Sequence, residues 1–368
     1  MEREKLKVLL CSPMAKIGGI ASWTKHVLNF YDNNKNDVSV DLQHFYHSGN
    51  KPVYATTPLW IRCIEGIKVY CQLYRKFDVV TKKQKFDVVH FCTSASISLT
   101  KDVILLRTAK KRGLKTIIHF RFGRISELYK KRNWEQKLLH RVIKLADKAI
   151  VIDKTSYNTL LNEGYTNIEL LPNPLSPAIN AGIKKYCDIA KIENKIVFAG
   201  HVVPTKGIFE LVRVCKSISN IKLKMVGAVS EDMKQKLITL AGENYTWMEI
   251  VGNQNMDYVI QEMMSAAVFV LPTYTEGFPN VILESMACGC PIVASAVGAI
   301  PEMLDIDGVN NCGICIEPKN IEQLKEAINK MLYNKEFAEQ CGANAQKRVN
   351  ELYSMQMIWN DMEEIWKS

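Results

Sequence analysis

Glu276 and Glu284 are two carboxylates, with seven residues between them, in the otherwise apolar stretch "YTEGFPNVILESMACGCP" (Tyr274–Pro291). An ionised carboxylate accepts hydrogen bonds through two oxygens and so grips ligand hydroxyls, while backbone N–H groups at a helix start hold phosphate oxygens. This stretch offers both. Pro272 ends an apolar run, "TYTEGFPN" has turn composition, and Asn280 reads as the N-cap of a helix over "VILESMACG". Glu276 then sits in the loop and Glu284 in the first turns of the helix. The N–H groups of Gly277, Phe278, Asn280 and Val281 crowd the helix start. The helix dipole also stabilises a carboxylate there, so a structural and a ligand-binding role for Glu284 both stand at this point.

Positioning these residues requires a scaffold. Short apolar strands recur along the chain: "LKVLLC" (Leu6–Cys11), "FDVVHFC" (Phe86–Cys92), "KTIIHF" (Lys115–Phe120), "KAIVID" (Lys148–Asp153) and "IELLP" (Ile168–Pro172). Between them lie stretches of helical spacing, such as Trp23–Phe30 and Ser126–Ala146. Alternation of this kind predicts βα units around a parallel sheet. A looser segment, "NPLSPAINAGIKKYCDIAKIEN", reads as an interdomain crossing. The pattern then restarts with "KIVFAG", "IKLKMVG", "YTWMEIVG", "AVFVLP" and "PIVAS". The expectation is two doubly wound domains in tandem, one over residues 1–175 and one over 192–351. Ligands in such sheets bind beyond the carboxyl ends of the strands. Gly18 and Gly19 follow the first strand of the first domain, and Gly200 and Gly207 bracket the loop after the first strand of the second. Neither loop reads G-x-G-x-x-G, so the dinucleotide fingerprint is absent.

Composition excludes several classes. The 368 residues are 47% hydrophobic and 23% charged, which is ordinary for a folded protein. No run reaches the roughly 18 apolar residues of a membrane span. The start "MEREKLKVLLCSPM" reads as a strand and not as a signal peptide. Eleven cysteines without an export signal fit a reducing, cytoplasmic compartment. Charge is uneven. Residues 1–180 hold 30 Lys+Arg and 15 Asp+Glu, a net of +15, and the remainder holds 48 − 30 = 18 basic and 38 − 15 = 23 acidic residues, a net of −5. The first half is built to face something anionic. No nucleic-acid recognition motif accompanies that charge.

The stretch "EGFPNVILESMACGCPIVASAVGAIPEMLDIDGVNNCGICIEP" resembles, nearly position by position, the donor-site signature of family 4 glycosyltransferases. "VFAGHVVPTKGIFELV" resembles that family's Gly-Arg-Leu…Lys-Gly segment, "KIGGIASW" its diglycine loop, "TIIHF" its strand-end histidine and "LLPNPL" its Pro-Asn-Gly stretch, with Pro174 where glycine is usual. "SMQMIWNDMEEIW" resembles its final helix. The resemblance implies a retaining enzyme with the GT-B fold: two Rossmann-like doubly wound domains facing a central cleft. The first would bind acceptor, with helix 352–368 packing back on it, and the second would bind the nucleotide-sugar donor. It implies that Glu276 contacts sugar hydroxyls, Glu284 the ribose, and Lys206, beside Gly207, the diphosphate. Gly18 and Gly19 would let backbone approach the same phosphates, and His119 would contact sugar or acceptor. Catalytic roles fall to His119, Glu276 and Lys206. No metal or other cofactor is expected, because fixed N–H groups and Lys206 would stabilise the departing nucleotide diphosphate. Alternatives on the same scaffold are a nucleotide-sugar epimerase, a phosphorylase or a non-catalytic sugar-nucleotide-binding protein. One departure stands out. His201 occupies the place of the family's usual arginine and lacks its bidentate fork. Arg121 and Arg124, in "HFRFGR", are candidates to complete a phosphate clamp or to bind an anionic acceptor.

Two metal-like patterns are set aside. Asp305–Asp307 forms a D-x-D string in a polar turn. Cys288, Cys290, Cys312 and Cys315 lack the paired C-x-x-C spacing of a zinc site and fill positions that suit small residues. The basic, aromatic-bearing segments "WIRCIEGIKVYCQLYRKF" and "LYKKRNWEQKLLHRVIKLADK", with Lys130, Lys131 and Arg132, fit a surface that meets anionic lipid or a lipid-linked acceptor. A glycan or lipid-linked acceptor, a cell-surface polysaccharide or glycolipid product and peripheral attachment to the inner face of the plasma membrane are the resulting expectations.

Overall fold

Twelve strands, all in parallel pairs, form two sheets of six. They are described from a computed structural model that covers residues 5–14, 19–46, 59–94 and 96–368, with the side chains of 59–67 left aside. The chain divides into two units, Met1–Pro172 with Ile358–Ser368, and Asn173–Met357.

In the first unit the strands are β1 (Leu6–Ser12), β2 (Val40–Tyr46), β3 (Val88–Thr93), β4 (Lys115–Phe120), β5 (Lys148–Val151) and β6 (Ile168–Leu170), in the order β2-β1-β3-β4-β5-β6. β3 is buried at every position, as a parallel strand covered on both faces must be. β2 is the exception. Its alternating buried and exposed residues mark an edge strand with one wet face, which no continuous apolar run announced. The final helix, Met355–Lys367, enters this unit's core through Trp359 and Trp366, both 1% exposed. Lys115 Nζ donates to the carbonyls of Ile365 and Trp366 at 2.9 and 3.0 Å and fixes the helix end.

The second unit holds β7 (Lys195–Ala199), β8 (Lys222–Val226), β9 (Met248–Gly252), β10 (Val268–Leu271), β11 (Ile292–Ser295) and β12 (Ile314–Ile316), in the order β12-β11-β10-β7-β8-β9. Read from the other edge, this is the 3-2-1-4-5-6 order of the dinucleotide-binding fold, with its direction reversing between β7 and β10. Loops that leave the carboxyl ends of those two strands diverge and leave a crevice, which is where such sheets bind ligands.

Three elements differ from expectation. The segment read as an open crossing contains a helix, Pro177–Lys185. Pro177 stands at its first turn, where proline starts a helix instead of breaking it. The stretch Ser126–Ala146 is two helices, Ile125–Lys131 and Trp134–Leu145, because Arg132 takes a left-handed conformation (φ 46°) and Asn133 caps the second helix. Tyr245–Trp247 is a 3-10 turn, and the strand begins only at Met248.

Candidate active site

The loops after β7 and β10 are tied together by backbone. Past β7 the chain turns through Gly200 (φ 147°), a 3-10 turn over Pro204–Lys206 and Gly207 (φ 68°) into the helix Ile208–Lys216. Tyr274 N donates to Thr205 O at 2.8 Å, and Thr273 Oγ1 donates to the same carbonyl at 3.3 Å. A Cβ on Gly207 would fall 1.9 Å from Pro272 O at the end of β10. Only glycine allows both that approach and that dihedral. Lys206 is thereby placed against Glu276, and the two form an ion pair.

The Glu276 loop rests on the turn after β11. Ala299 N donates to Gly277 O at 2.9 Å, and a Cβ on Gly298 (φ 57°) would lie 2.4 Å from Glu276 O. Phe278 is buried with its ring edge-on to Tyr353, 5.8 Å between centroids. The helix that follows is Asn280–Ala287, with Pro279 in the cap position. Asn280 is therefore the first helical residue and not the N-cap expected. Its side-chain oxygen instead accepts from Asn173 Nδ2 at 2.8 Å. Val281 follows it on the first turn.

Glu284 is the fifth residue of that helix, beyond the first turn where the dipole acts strongly. It is half-buried and has no hydrogen-bond or ion-pair partner among the described residues. Burial alone pushes its carboxyl up to about 7. The dipole reading does not account for it, since the shift is upward. What remains is a carboxylate held out of bulk water with both oxygens free to accept. His201 is exposed, and no side-chain partner among the described residues meets it.

In the first unit, Gly18 lies outside the described residues. Gly19 opens the helix Gly19–Asn33, with no atom within 4 Å of a Cβ built on it. His119, in β4, is fully buried. It takes part in a chain that was not anticipated: Trp366 Nε1 to His90 Nδ1 at 3.0 Å, His90 Nε2 to His119 Nδ1 at 3.2 Å, and His119 Nε2 to Arg121 Nη1 at 3.1 Å. The clue available was His90 itself, an ionisable residue inside the apolar run "DVVHFC". Burial drives both histidines down, His90 to about 3, with the Arg121 charge as the second cause. Arg124 is engaged with Glu135 at 3.9 Å. Lys130, Lys131 and Arg132 are exposed beside Trp134, itself 57% exposed, and form no ion pair among the described residues.

Residues 183–348 match the family described as Glycosyl transferases group 1. The chain is 32% identical over 152 residues to an uncharacterized glycosyltransferase of Methanocaldococcus jannaschii, covering 41% of this chain and 42% of that protein. It is 28% identical over 194 residues to the capsular polysaccharide biosynthesis glycosyltransferase CapM of Staphylococcus aureus, covering 50% and 49%. The matches thus span about half the length of these relatives or less. Among solved structures, sucrose-phosphate synthase from Thermosynechococcus elongatus is similar over 99% of this chain and 98% of that one, with a TM-score of 0.74 at 18% identity. An Anabaena protein crystallised with UDP gives 0.68 at 14% identity, covering 98% and 99%. At such identities the likeness concerns the fold, which is GT-B.

Residues 183–348 bring no three metal-ligating side chains together. Among the described residues the only His, Cys, Asp or Glu group whose ligand atoms lie within 4.8 Å of one another is His90, Cys92 and His119, in the first unit. That donor set does not suit a cation. A ligating imidazole needs an acceptor for its other N–H, whereas the outer nitrogens of His90 and His119 face the obligate donors Trp366 and Arg121. The Arg121 charge opposes a cation as well, and burial pushes the Cys92 thiol up to about 12. In the D-x-D string, Asp305 faces Arg348 at 3.4 Å.

Proposed function

We propose that the chain is a retaining glycosyltransferase that moves a sugar from a nucleotide-diphosphate sugar to a glycan or lipid-linked acceptor in cell-surface polysaccharide or glycolipid assembly. The observation that carries this reading is the unpartnered, half-buried Glu284, one helix turn beyond the loop on which Lys206 pairs with Glu276. A cation, two carboxylates and free backbone N–H groups at the β7/β10 switch point suit a ligand with hydroxyls at both ends and phosphate between them. Relatives named for capsular polysaccharide synthesis and for transfer of N-acetylglucosamine to lipopolysaccharide support the product class.

In this reading the ribose hydroxyls donate to Glu284, and the sugar hydroxyls donate to Glu276. Lys206, released from Glu276, turns to the diphosphate and stabilises the charge that grows on it as the glycosidic bond breaks. No metal is required for that step. Product analysis with a labelled nucleotide sugar separates the readings. Transfer to an acceptor with retained configuration supports a transferase, whereas interconversion of the nucleotide sugar alone would mark an epimerase. Phosphate-dependent cleavage would mark a phosphorylase.

His201 enters as a specific expectation. It is exposed on the loop that ends at Lys206, so an arginine there has room to reach the diphosphate. His201→Arg should tighten nucleoside diphosphate binding by about 1.5 kcal/mol, or roughly tenfold, the low end of what one charged hydrogen bond is worth. Calorimetry reads this directly. Outright loss of binding would mean that the pocket is shaped around imidazole.

Membrane attachment is the second expectation. No helix among the described residues is long and apolar enough to cross a membrane. In this reading attraction comes from surface cations at about 1 kcal/mol each near an anionic bilayer, screened beyond roughly 8–10 Å by salt. Changing Lys130, Lys131 and Arg132 to Glu should reduce sedimentation with phosphatidylserine-containing vesicles about tenfold or more at low salt. UDP binding should be unaffected. Vesicle binding that ignored lipid charge and salt would point to a water-soluble acceptor instead.

A further inference from the structure

Arg121 is a cation without a counter-ion. Its guanidinium lies 4.5 Å from the centroid of the Trp23 ring, and it forms no salt bridge among the described residues. Its Nε is buried and has no hydrogen-bond partner. Three histidines feel its charge, His26, His90 and His119, and all three are held towards the neutral form by burial and by that charge. The side chain as a whole is only half-buried, at the carboxyl end of β4, so part of it is open to solvent.

Proton counting sharpens this. Each neutral imidazole has one N–H and one lone pair. Trp366 Nε1 must donate to His90 Nδ1, and Arg121 Nη1 must donate to His119 Nε2. Both inner nitrogens, His90 Nε2 and His119 Nδ1, would then carry protons and face each other at 3.2 Å. Two imidazoles between two obligate donors hold one proton more than their three contacts can use. Among the described residues the cluster lacks an acceptor. An oxygen placed against His119 Nε2 and Arg121 resolves it. Trp366 then donates to His90, His90 Nε2 donates to His119 Nδ1, and both His119 Nε2 and the guanidinium donate to the ligand.

We propose that His119 and Arg121 form a binding site for an oxyanion, phosphate or carboxylate, carried by the acceptor, and that Trp366 and His90 are positioning residues that fix His119 as a donor. This rests on the glycosyltransferase reading only for the identity of the molecule bearing the oxyanion. The site itself rests on the missing acceptor.

The test uses the full chain, titrated by calorimetry with inorganic phosphate, with glucuronate and with UDP, while the ring nitrogens of His119 are followed by NMR. Phosphate or glucuronate should bind and shift the protonated Nε2 of His119, and the anion that does so identifies the acceptor group. Arg121→Gln should weaken that binding about tenfold or more, as expected when a charged donor pair is lost, with UDP affinity within about twofold of wild type. Trp366→Phe should weaken it severalfold and move the proton between the ring nitrogens of His119, a change that mere loss of packing would not produce. The proposal is overturned if neither anion binds, or if Arg121→Gln leaves binding unchanged. It is also overturned if Arg121→Gln weakens UDP as strongly as phosphate, since the donor's own diphosphate would then be the occupant. UDP serves as the separate control. If no nucleoside diphosphate binds wild type while phosphate binds through Arg121, the donor-site reading fails and the oxyanion site stands.

Discussion

Glu284→Gln is expected to weaken nucleoside diphosphate binding by about 1.5–3 kcal/mol, roughly 10- to 150-fold, while making the ligand-free protein more stable near pH 8. Both effects come from one cause. Glu284 is half-buried without a partner among the described residues, and its carboxyl is raised from the ordinary 4.5 to about 7. A carboxyl raised in the folded state holds its proton more tightly there than in the unfolded chain. Its contribution to stability is therefore full below about pH 4.5 and is lost as pH rises through about 7. Above that, the folded protein carries an uncompensated charge that Gln does not, worth on the order of 1–3 kcal/mol. Thermal unfolding from pH 5 to pH 8 should show wild type losing stability relative to Glu284→Gln across that window. Nucleoside diphosphate binding should rise over the same window, because the ionised carboxylate is the better acceptor for ribose hydroxyls. Equal pH profiles for the two proteins would mean that Glu284 is not held in the state described.

Gly207→Ala should be far more damaging than its size suggests. Alanine at φ 68° costs about 1–3 kcal/mol in backbone strain, and its Cβ would stand 1.9 Å from Pro272 O, backbone that has to move. The sum should exceed about 3 kcal/mol of stability. Whatever remains folded should lose donor binding, because the displaced loop carries Lys206 away from Glu276. Gly252→Ala is the control. It has a similar dihedral, φ 82°, but nothing within 4 Å of the added Cβ, so only the strain remains. A melting temperature for Gly207→Ala within a few degrees of Gly252→Ala would show that the two loops do not pack as described.

Much of this architecture is legible in sequence, for a physical reason. Strands buried on both faces of a parallel sheet read as short continuous apolar runs, and β1, β3, β4, β7, β10 and β11 all do. β2 is half wet and β12 is only three residues long, so neither left such a run. The helix Pro177–Lys185 was obscured by the residues that make it fit. Pro177 starts it, and Gly182 is small because a Cβ there would meet Ile260 Cδ1 at 2.5 Å.

The site divides in the same way. Glu276, Glu284, Lys206 and Gly207 are recognisable because local spacing carries their roles, and the switch-point topology brings the Lys206 and Glu276 loops together. Asn280 was misplaced by one position because Pro279 takes the cap. The contact of Trp366 with His90 joins residues 276 positions apart, which no local pattern encodes. The proton surplus at Arg121 follows from that contact and is invisible without it.

The most direct test of the donor site is ligand-induced thermal stabilisation of the full chain against a panel of nucleotide diphosphates and nucleotide sugars. Binding to the folded state alone raises apparent stability by mass action, about 2.7 kcal/mol at a hundredfold excess over the dissociation constant. At least one nucleotide sugar should raise the melting temperature of wild type. The rise should be strongly reduced in Glu284→Gln, and Lys206→Met should reduce it for the diphosphate-containing ligands. Absence of any shift with wild type, or a shift that both variants retain in full, would contradict the assignment of Glu284 and Lys206 to a nucleotide-sugar site.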